Sequence, residues 1–546
     1  MENILILGAG LMQKPAILSA KEAGFHTIVI DADKNAVSIP LADEFFQVDL
    51  KDKEGILALA QKIKSEKGLA GIFTAGTDFS ASVSYASEKL GLPSHSYQAA
   101  LNASLKNQMR QCFQSNGVPS PAFLRAQKSE VNEELYSKVC NIMSLPFVVK
   151  PVDNMGARGC RMVRTKEEFL PAVKIATECS RTGCAIIEEY MDGPEFSIDA
   201  LVYEGKFIVT GFAIRHIKYE PYFIEVGHTM PAVLDKKKHD ELISVFALGA
   251  KAEGLTCGAA KADIKYTDKG PMIGEIAGRL SGGYMSGWTY PYASELNLTK
   301  QGILVATGKK PEELLSRAQK VNYTPSELCK NLSAPYELYE VPCKCTSAER
   351  AWMSIPGTVE YIENIKEFTD KAVMDVLPRA TVKLGCDVDF PRNNVEKCGN
   401  IIAVSNDRDI AIKAAQDAVS NTFITLKPCN PKTDDYLKNI QAQDEKNFPP
   451  SAFGDLDSQK LEILSKSAPV SENQPVSSCI PEFLKAAPYD TLTDWNYNTV
   501  GDTVQKFDIL RPKHPQLETK AFWSALIRGG LQGAVYYSDT CLAEAK

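Results

Sequence analysis

Two short apolar segments joined by a tight turn constrain this chain more than any other feature. Gly258 to Lys265 and Met272 to Ile276 flank Thr267-Asp268-Lys269-Gly270, a turn composition that folds one strand back on the other. On paired antiparallel strands, the spacing from Asp263 to Glu275 can bring two carboxylates side by side facing one way. Like charges so placed are destabilising, whereas a hard divalent cation between them makes a two-carboxylate site. Magnesium with nucleotide phosphates fits that pair. Arg279, just beyond the second strand, adds a planar fork suited to phosphate or carboxylate.

The rest of the chain is ordinary globular material. Its 546 residues, 44% apolar and 24% charged, exclude collagen-like and wholly disordered chains and predict three or four domains. A net charge of −7 offers nothing to a nucleic-acid polyanion or an anionic membrane, so an anionic ligand needs a locally basic pocket. The fourteen Cys include no CxxC pair and the six His no HxxxH or HExxH, which fits reduced thiols and an oxygen-ligated metal. No basic leader and no apolar run near membrane-spanning length occur, so a soluble, cytoplasmic protein is expected.

Organisation follows from the pattern. Asn3 to Leu7, Gly8-Ala9-Gly10, a helix to Glu22 and Thr27 to Ile30 read as a βαβ unit. A nicotinamide-binding fingerprint requires a third glycine where Gln13 stands, which favours an ordinary tight turn. The expected divisions are an α/β domain over 1–105, an antiparallel-rich α+β region with few helices over 106–310, and an α+β domain over 311–435. A linker over 436–480, marked by Pro449-Pro450 and SAPVSENQPVSS, precedes an apolar extension over 481–546 in which no chemistry is evident. No P-loop signature is present.

Two further segments carry chemistry. Lys150 ends a strand (PFVVKP) beside Asp153-Asn154-Met155-Gly156-Ala157-Arg158-Gly159, where exposed backbone N–H groups and an ammonium suit phosphate. About forty residues on, IIEEYMDGPEFSID places Glu188 at a strand end, with backbone running through Tyr190 to Met191 that can read a purine edge. Glu195, past the Gly-Pro turn, can accept from ribose hydroxyls.

Together with SLKNQMR, GVPSP and GEIAGRLSGG, these segments resemble the ATP-grasp superfamily over roughly residues 1 to 435. The resemblance implies an ATP-grasp fold, α/β and α+β, with a Rossmann-like pre-ATP-grasp domain and a C-terminal α+β domain. It implies ATP and Mg2+ as cofactors. Lys106 and Lys150 would contact phosphates beneath the Asn154 to Gly159 loop, Glu188, Tyr190 and Met191 would hold adenine, and Glu195 ribose. Asp263 and Glu275 would carry magnesium, and Arg279 would stabilise an acyl phosphate and the tetrahedral species after it. Three positions depart from the pattern: Ala277 stands where the family has a second metal-binding Asn, Leu105 where Asp is common, and Arg158 where a small residue is usual.

Within the superfamily the chain is most similar to carboxylate-amine ligases related to L-amino-acid ligases and to carbamoyl-phosphate synthetase halves. Tyr222 to His228 resembles their acceptor-side segment, which implies Glu225, His228, Arg279, Gly282 and Gly283 as substrate residues. The expected activity is amide formation through an acyl phosphate, with small-molecule carboxylate and amine substrates, neither nucleic acid nor membrane as partner, and a homodimer left open. The alternatives are a nucleotide-binding regulatory protein without turnover, which Ala277 favours, and a nicotinamide-linked oxidoreductase.

Overall fold

A computed structural model describes residues 1–364, 370–379, 382–438 and 448–545. Its contacts divide the chain into two compact units. One comprises Met1–His216, His228–Ser347 and Asn406–Arg408, the other Ile217–Gly227, Ala348–Ser405 and Asp409–Lys546.

The first unit opens with β1 (Asn3–Leu7), α1 (Lys14–Glu22), β2 (His26–Asp31), β3 (Glu44–Gln47), α2 (Lys53–Lys67), β4 (Gly71–Phe73) and α3 (Ser80–Leu90). The strands form a parallel sheet ordered β3-β2-β1-β4. Both faces of β1 are covered, which is why it reads as an unbroken apolar run. The glycine turn after β1 is filled from within. Gln13 accepts from Gly10 N–H at 3.0 Å and donates to the Ala75 carbonyl at 2.7 Å, and a Cβ on Gly8 would meet its side chain at 2.9 Å. Asp31 accepts from the Ala9 and Asp33 N–H groups.

Next come α4 (Tyr97–Ser104), α5 (Lys106–Asn116), β5 (Phe123–Gln127), α6 (Glu133–Cys140), β6 (Phe147–Pro151), β7 (Arg161–Val163), α7 (Lys166–Cys179) and β8 (Cys184–Glu189). Here the strands pair antiparallel in the order β5-β8-β6-β7. They are followed by β9 (Glu195–Tyr203), β10 (Lys206–Lys218), β11 (Ile224–Met230), α8 (Lys236–Glu253), β12 (Gly258–Thr267) and β13 (Gly270–Ala277). The order β13-β12-β9-β10 is antiparallel throughout. The expectation of few helices between 106 and 310 is corrected by α5 to α8. Buried nearly all round from Asp240 to Ala250, α8 shows no helical stripe of polar residues to mark it.

The β12–β13 hairpin contains a device the spacing alone did not specify. From its two-residue turn, Thr267 pairs with Gly270 and Ile264 with Ile273; a regular ladder would then set Asp263 opposite Gly274. A bulge at Gly274 shifts the register so that Asp263 faces Glu275 instead. Without it, Glu275 would move to the other face of the sheet.

In the second unit, Val373–Pro378 pairs with Gly399–Ser405, and Gly357–Asn364 lies between Asp387–Val388 and Thr422–Leu426, all antiparallel. The expected linker is corrected over its described residues 448–480, while residues 439–447 lie outside the description. Phe453, Leu464, Val470 and Val476 are buried in the same core as Trp352, Phe390, Trp495, Phe507 and Trp523. The Pro-rich composition reflects turns laid over a core. The GGLQG run interrupts the long helix Thr519–Glu544: Gly530 takes φ 60°, and a Cβ on Gly533 would lie 2.1 Å from the Ala525 carbonyl. Among the described residues no helix is long and apolar enough to cross a membrane.

Candidate functional site

Except for Glu225, the candidate residues all fall in the first unit. Lys106 and Arg110 stand one turn apart at the start of α5 and are both buried. Arg110 Nε donates to Glu188 Oε1 at 2.8 Å, and Lys150 Nζ lies 2.6 Å from Glu188 Oε2, so one carboxylate at the end of β8 holds a cation on each side. Glu188 is only 2% exposed. Burial works to raise its pKa, but Arg110 and Lys150 outweigh it and hold the group below the usual carboxylate range. The side chain of Glu188 therefore anchors Lys150. In the adjoining backbone, Glu189 N–H donates to the Ala122 carbonyl and Tyr190 N–H to the Pro146 carbonyl.

The loop after Lys150 is pinned from below. Asn154 donates to the Cys179 carbonyl at 2.9 Å, and its own carbonyl accepts from Lys106 Nζ at 3.0 Å. Gly156 and Gly159 take positive φ, and a Cβ on Gly159 would press on Cys179 at 2.8 Å. Asp153, the first residue of that loop, accepts from Ser180 and from the Arg181 and Thr182 N–H groups, fixing where the loop begins.

Opposite lies the sheet β13-β12-β9-β10. Glu195 Oε1 is 2.6 Å from Arg215 NH1, which also reaches Asp263 Oδ2 at 2.9 Å. Lys265 stands 4.9 Å from the centre of the Tyr190 ring and donates to the Met191 carbonyl at 3.0 Å. Glu275, about a third exposed, has Lys106 Nζ at 3.6 Å. Burial pushes Glu275 up, but Lys106, Lys261, Lys150 and Arg279 pull its pKa down to about 2. Asp263 is likewise held low, by Arg215 and Lys261 against its burial. Both are carboxylates at neutral pH, as a hard cation requires.

The pair fits magnesium. Asp263 and Glu275 are direct cross-strand partners, and Asp263 Oδ1 is buried without a hydrogen bond. No cluster of three or more His, Cys, Asp or Glu side chains suited to a metal occurs among the described residues. Mg2+ commonly takes one or two carboxylates and completes its shell with phosphate oxygens and water, so two protein ligands suffice beside a nucleotide.

Arg279 follows β13. Its NH1 donates to the Leu280 carbonyl at 3.1 Å, and NH2 stands 3.9 Å from Asp78. The Leu280 to Gly283 loop beyond it is held by Asp199, whose Oδ2 accepts from Ser281 N–H and hydroxyl at 3.0 and 2.7 Å. Gly76 N–H donates to the Leu280 carbonyl, and Gly282 packs against Gly76, where a Cβ would meet the Gly76 carbonyl oxygen at 3.4 Å. Of the acceptor-side candidates, Glu225 belongs to the second unit, where Lys397 lies 3.6 Å from its Oε1 and Asn394 accepts from its N–H. His228, fully buried, belongs to the first.

Sequence reasoning missed Arg110, Asp199, Arg215 and Lys261. Three left signals: Arg110 is four residues beyond Lys106 on one helix, Asp199 four beyond Glu195 and Lys261 two before Asp263 on strands, spacings that share a face. Arg215 left none.

A strand-end lysine, a glycine loop and a paired carboxylate hairpin thus all stand in the first unit. Residues 143–287 match the ATP-grasp domain family, and residues 17–94 the ATP-grasp N-terminal domain family. Over those residues the chain carries an ATP-grasp domain and an ATP-grasp N-terminal domain. Its fold is similar to L-amino acid ligase from Bacillus licheniformis, with TM-score 0.63 and 19% identity over 78% of this chain and 99% of that one. The biotin carboxylase domain of Hydrogenobacter thermophilus 2-oxoglutarate carboxylase, a dimer solved with MgADP and bicarbonate, aligns with TM-score 0.57 and 17% identity over 78% of this chain and 92% of that one. Human carnosine synthase 1 is 24% identical over 338 residues, 57% of this chain and 40% of that protein. The chain thus spans less than half of that relative.

Proposed function

We propose that this ATP-grasp enzyme joins a carboxylate to an amine through an acyl phosphate, releasing ADP and phosphate, with an amino acid among its substrates. The observation that carries the reading is the Asp263–Glu275 pair, with Lys106 3.6 Å from Glu275 and Arg279 just beyond the end of β13. It supports a γ-phosphoryl group bound among cations beside an arginine fork. The similarity to an L-amino acid ligase and a carnosine synthase supports the substrate class.

A carboxylate is a poor electrophile, so its oxygen attacks the γ-phosphorus. The bond to the β,γ-bridging oxygen breaks, and ADP leaves. The amine lone pair then attacks the acyl carbon, phosphate departs and the amine loses a proton. Lys106 and Lys150 neutralise the phosphoryl oxygens, the Asn154 to Gly159 loop keeps water from the acyl phosphate, and Arg279 holds its oxygens and the tetrahedral oxyanion. Magnesium, held by Asp263 and Glu275, supplies charge neutralisation on the phosphates. Glu195 is assigned to ribose, Tyr190 and Met191 to adenine, and Gly282, Gly283 and His228 to substrate.

A panel of amino acids and small carboxylates, tested pairwise for ADP, phosphate and new amides by mass spectrometry, decides the matter. ADP formation only when both substrates are present, with an amide product, is the expected result. Tight nucleotide binding with no amide from a broad panel would replace it with the regulatory reading. Arg279→Ala should spare nucleotide affinity while lowering amide yield, because its fork serves the acyl phosphate.

A further inference from the structure

On one face of the sheet, six side chains form a grid of two rows. Ser197, Asp263 and Glu275 stand opposite one another in one row, and Asp199, Lys261 and Ala277 in the next. Directly opposed residues on adjacent strands point to the same face, and residues two apart on one strand do too. Lys261 therefore projects among three carboxylates, those of Asp199, Asp263 and Glu275. It is 8% exposed, and its ammonium donates to Asp263 Oδ2.

The neighbouring positions explain how it fits. Ala277 offers a methyl group and no oxygen, so the side of Lys261 facing β13 carries neither a competing cation ligand nor bulk. On the side facing β9, Asp199 is fully buried, and its Oδ1 lacks a hydrogen bond while Oδ2 is taken by Ser281. A buried carboxylate with an unsatisfied oxygen calls for a positive charge nearby. In that row Asp199 is the one carboxylate a second divalent ion could use, and Lys261 stands beside it.

We infer that the Lys261 ammonium is a tethered cation standing in place of a second magnesium ion, so that the nucleotide-loaded site takes one divalent ion at Asp263 and Glu275. The inference rests on the nucleotide site proposed above and deepens it by fixing the metal requirement. One positive charge is thus permanently present and positioned, while the other arrives with the nucleotide. Lys261 need not touch the substrate to do this.

The test counts metal ions and needs no turnover. The full chain is saturated with the β,γ-imido analogue of ATP, and bound Mn2+ is counted from the loss of the free-ion electron paramagnetic resonance signal. One Mn2+ per wild-type chain is expected. Lys261→Ala, which removes that tethered charge, should bind two, and Lys261→Arg one. Two Mn2+ per wild-type chain overturns the inference, as does a Lys261→Ala chain that folds and still binds one. If Lys261→Ala fails to fold, the wild-type and Lys261→Arg counts decide. Failure of the analogue to bind at all would instead remove the nucleotide site beneath it.

Discussion

Two buried glutamates in the first unit share Arg110 as an electrostatic neighbour and meet opposite fates. Glu188, at the end of β8, is clasped by Arg110 and Lys150. Glu253, closing α8, is 1% exposed, and neither of its carboxyl oxygens has a hydrogen bond. Burial pushes the pKa of Glu253 well above the ordinary value, against the weaker pull of Arg110, while that of Glu188 is lowered. The same side chain is thus held toward its anion in one place and pushed toward its neutral acid in the other. What separates them is whether each oxygen has its own cation at hydrogen-bond distance; depth does not distinguish them.

The sharpest way to break the contrast is Arg110→Met. It leaves Glu188 buried with one partner and strips the Gly274 carbonyl, at the hairpin bulge, of a donor at 2.6 Å. Losing one member of a buried, hydrogen-bonded ion pair costs about 3 to 5 kcal/mol. Urea unfolding should show a loss of that size, and a change under about 1 kcal/mol would mean that Glu188 has no need of the arginine.

Lys150→Met comes next. Arg110 still holds Glu188, so the larger effect falls on nucleotide binding. A lost charge-assisted phosphate contact is worth about 1.5 to 3 kcal/mol, roughly tenfold to a hundredfold in Kd. Calorimetric titration with MgATP checks it, and unchanged affinity would remove Lys150 from the phosphate site.

These contrasts bear on how much a sequence discloses. The paired carboxylates were legible because turn residues and strand alternation are local. The bulge that makes the pairing work was not, since Gly274 gives no sign of which neighbour it will displace. Glu188 was legible as a strand-end acid, but its role as an anchor depends on Arg110, 78 residues away in sequence and brought close only by packing. The residues after 447 misled because composition was the only guide. Proline and serine mark a chain that turns often, and such a chain can still seat Phe453 and Leu464 in a core. Helix α8 misled for the opposite reason: an element covered on all sides loses the periodicity by which helices are recognised.

The last expected effect concerns Glu253 and is read as a pH dependence. Its folded pKa lies above the unfolded value, so the folded protein binds more protons than the unfolded chain between the two. The contribution of Glu253 to stability is complete below the unfolded pKa near 4.5 and is lost as pH rises through the folded value. Glu275 runs the other way. Its contribution is present above its unfolded pKa near 4.5 and is lost progressively as pH falls from there through about 2. Glu253→Gln keeps the shape and removes the titration, so the variant should gain on wild type progressively as pH rises from 5 to 8. Thermal unfolding across that range should show the two Tm curves diverging. Parallel curves would mean that the Glu253 carboxyl is ionised in the folded protein and that a cation or water reaches it, which would erase its difference from Glu188.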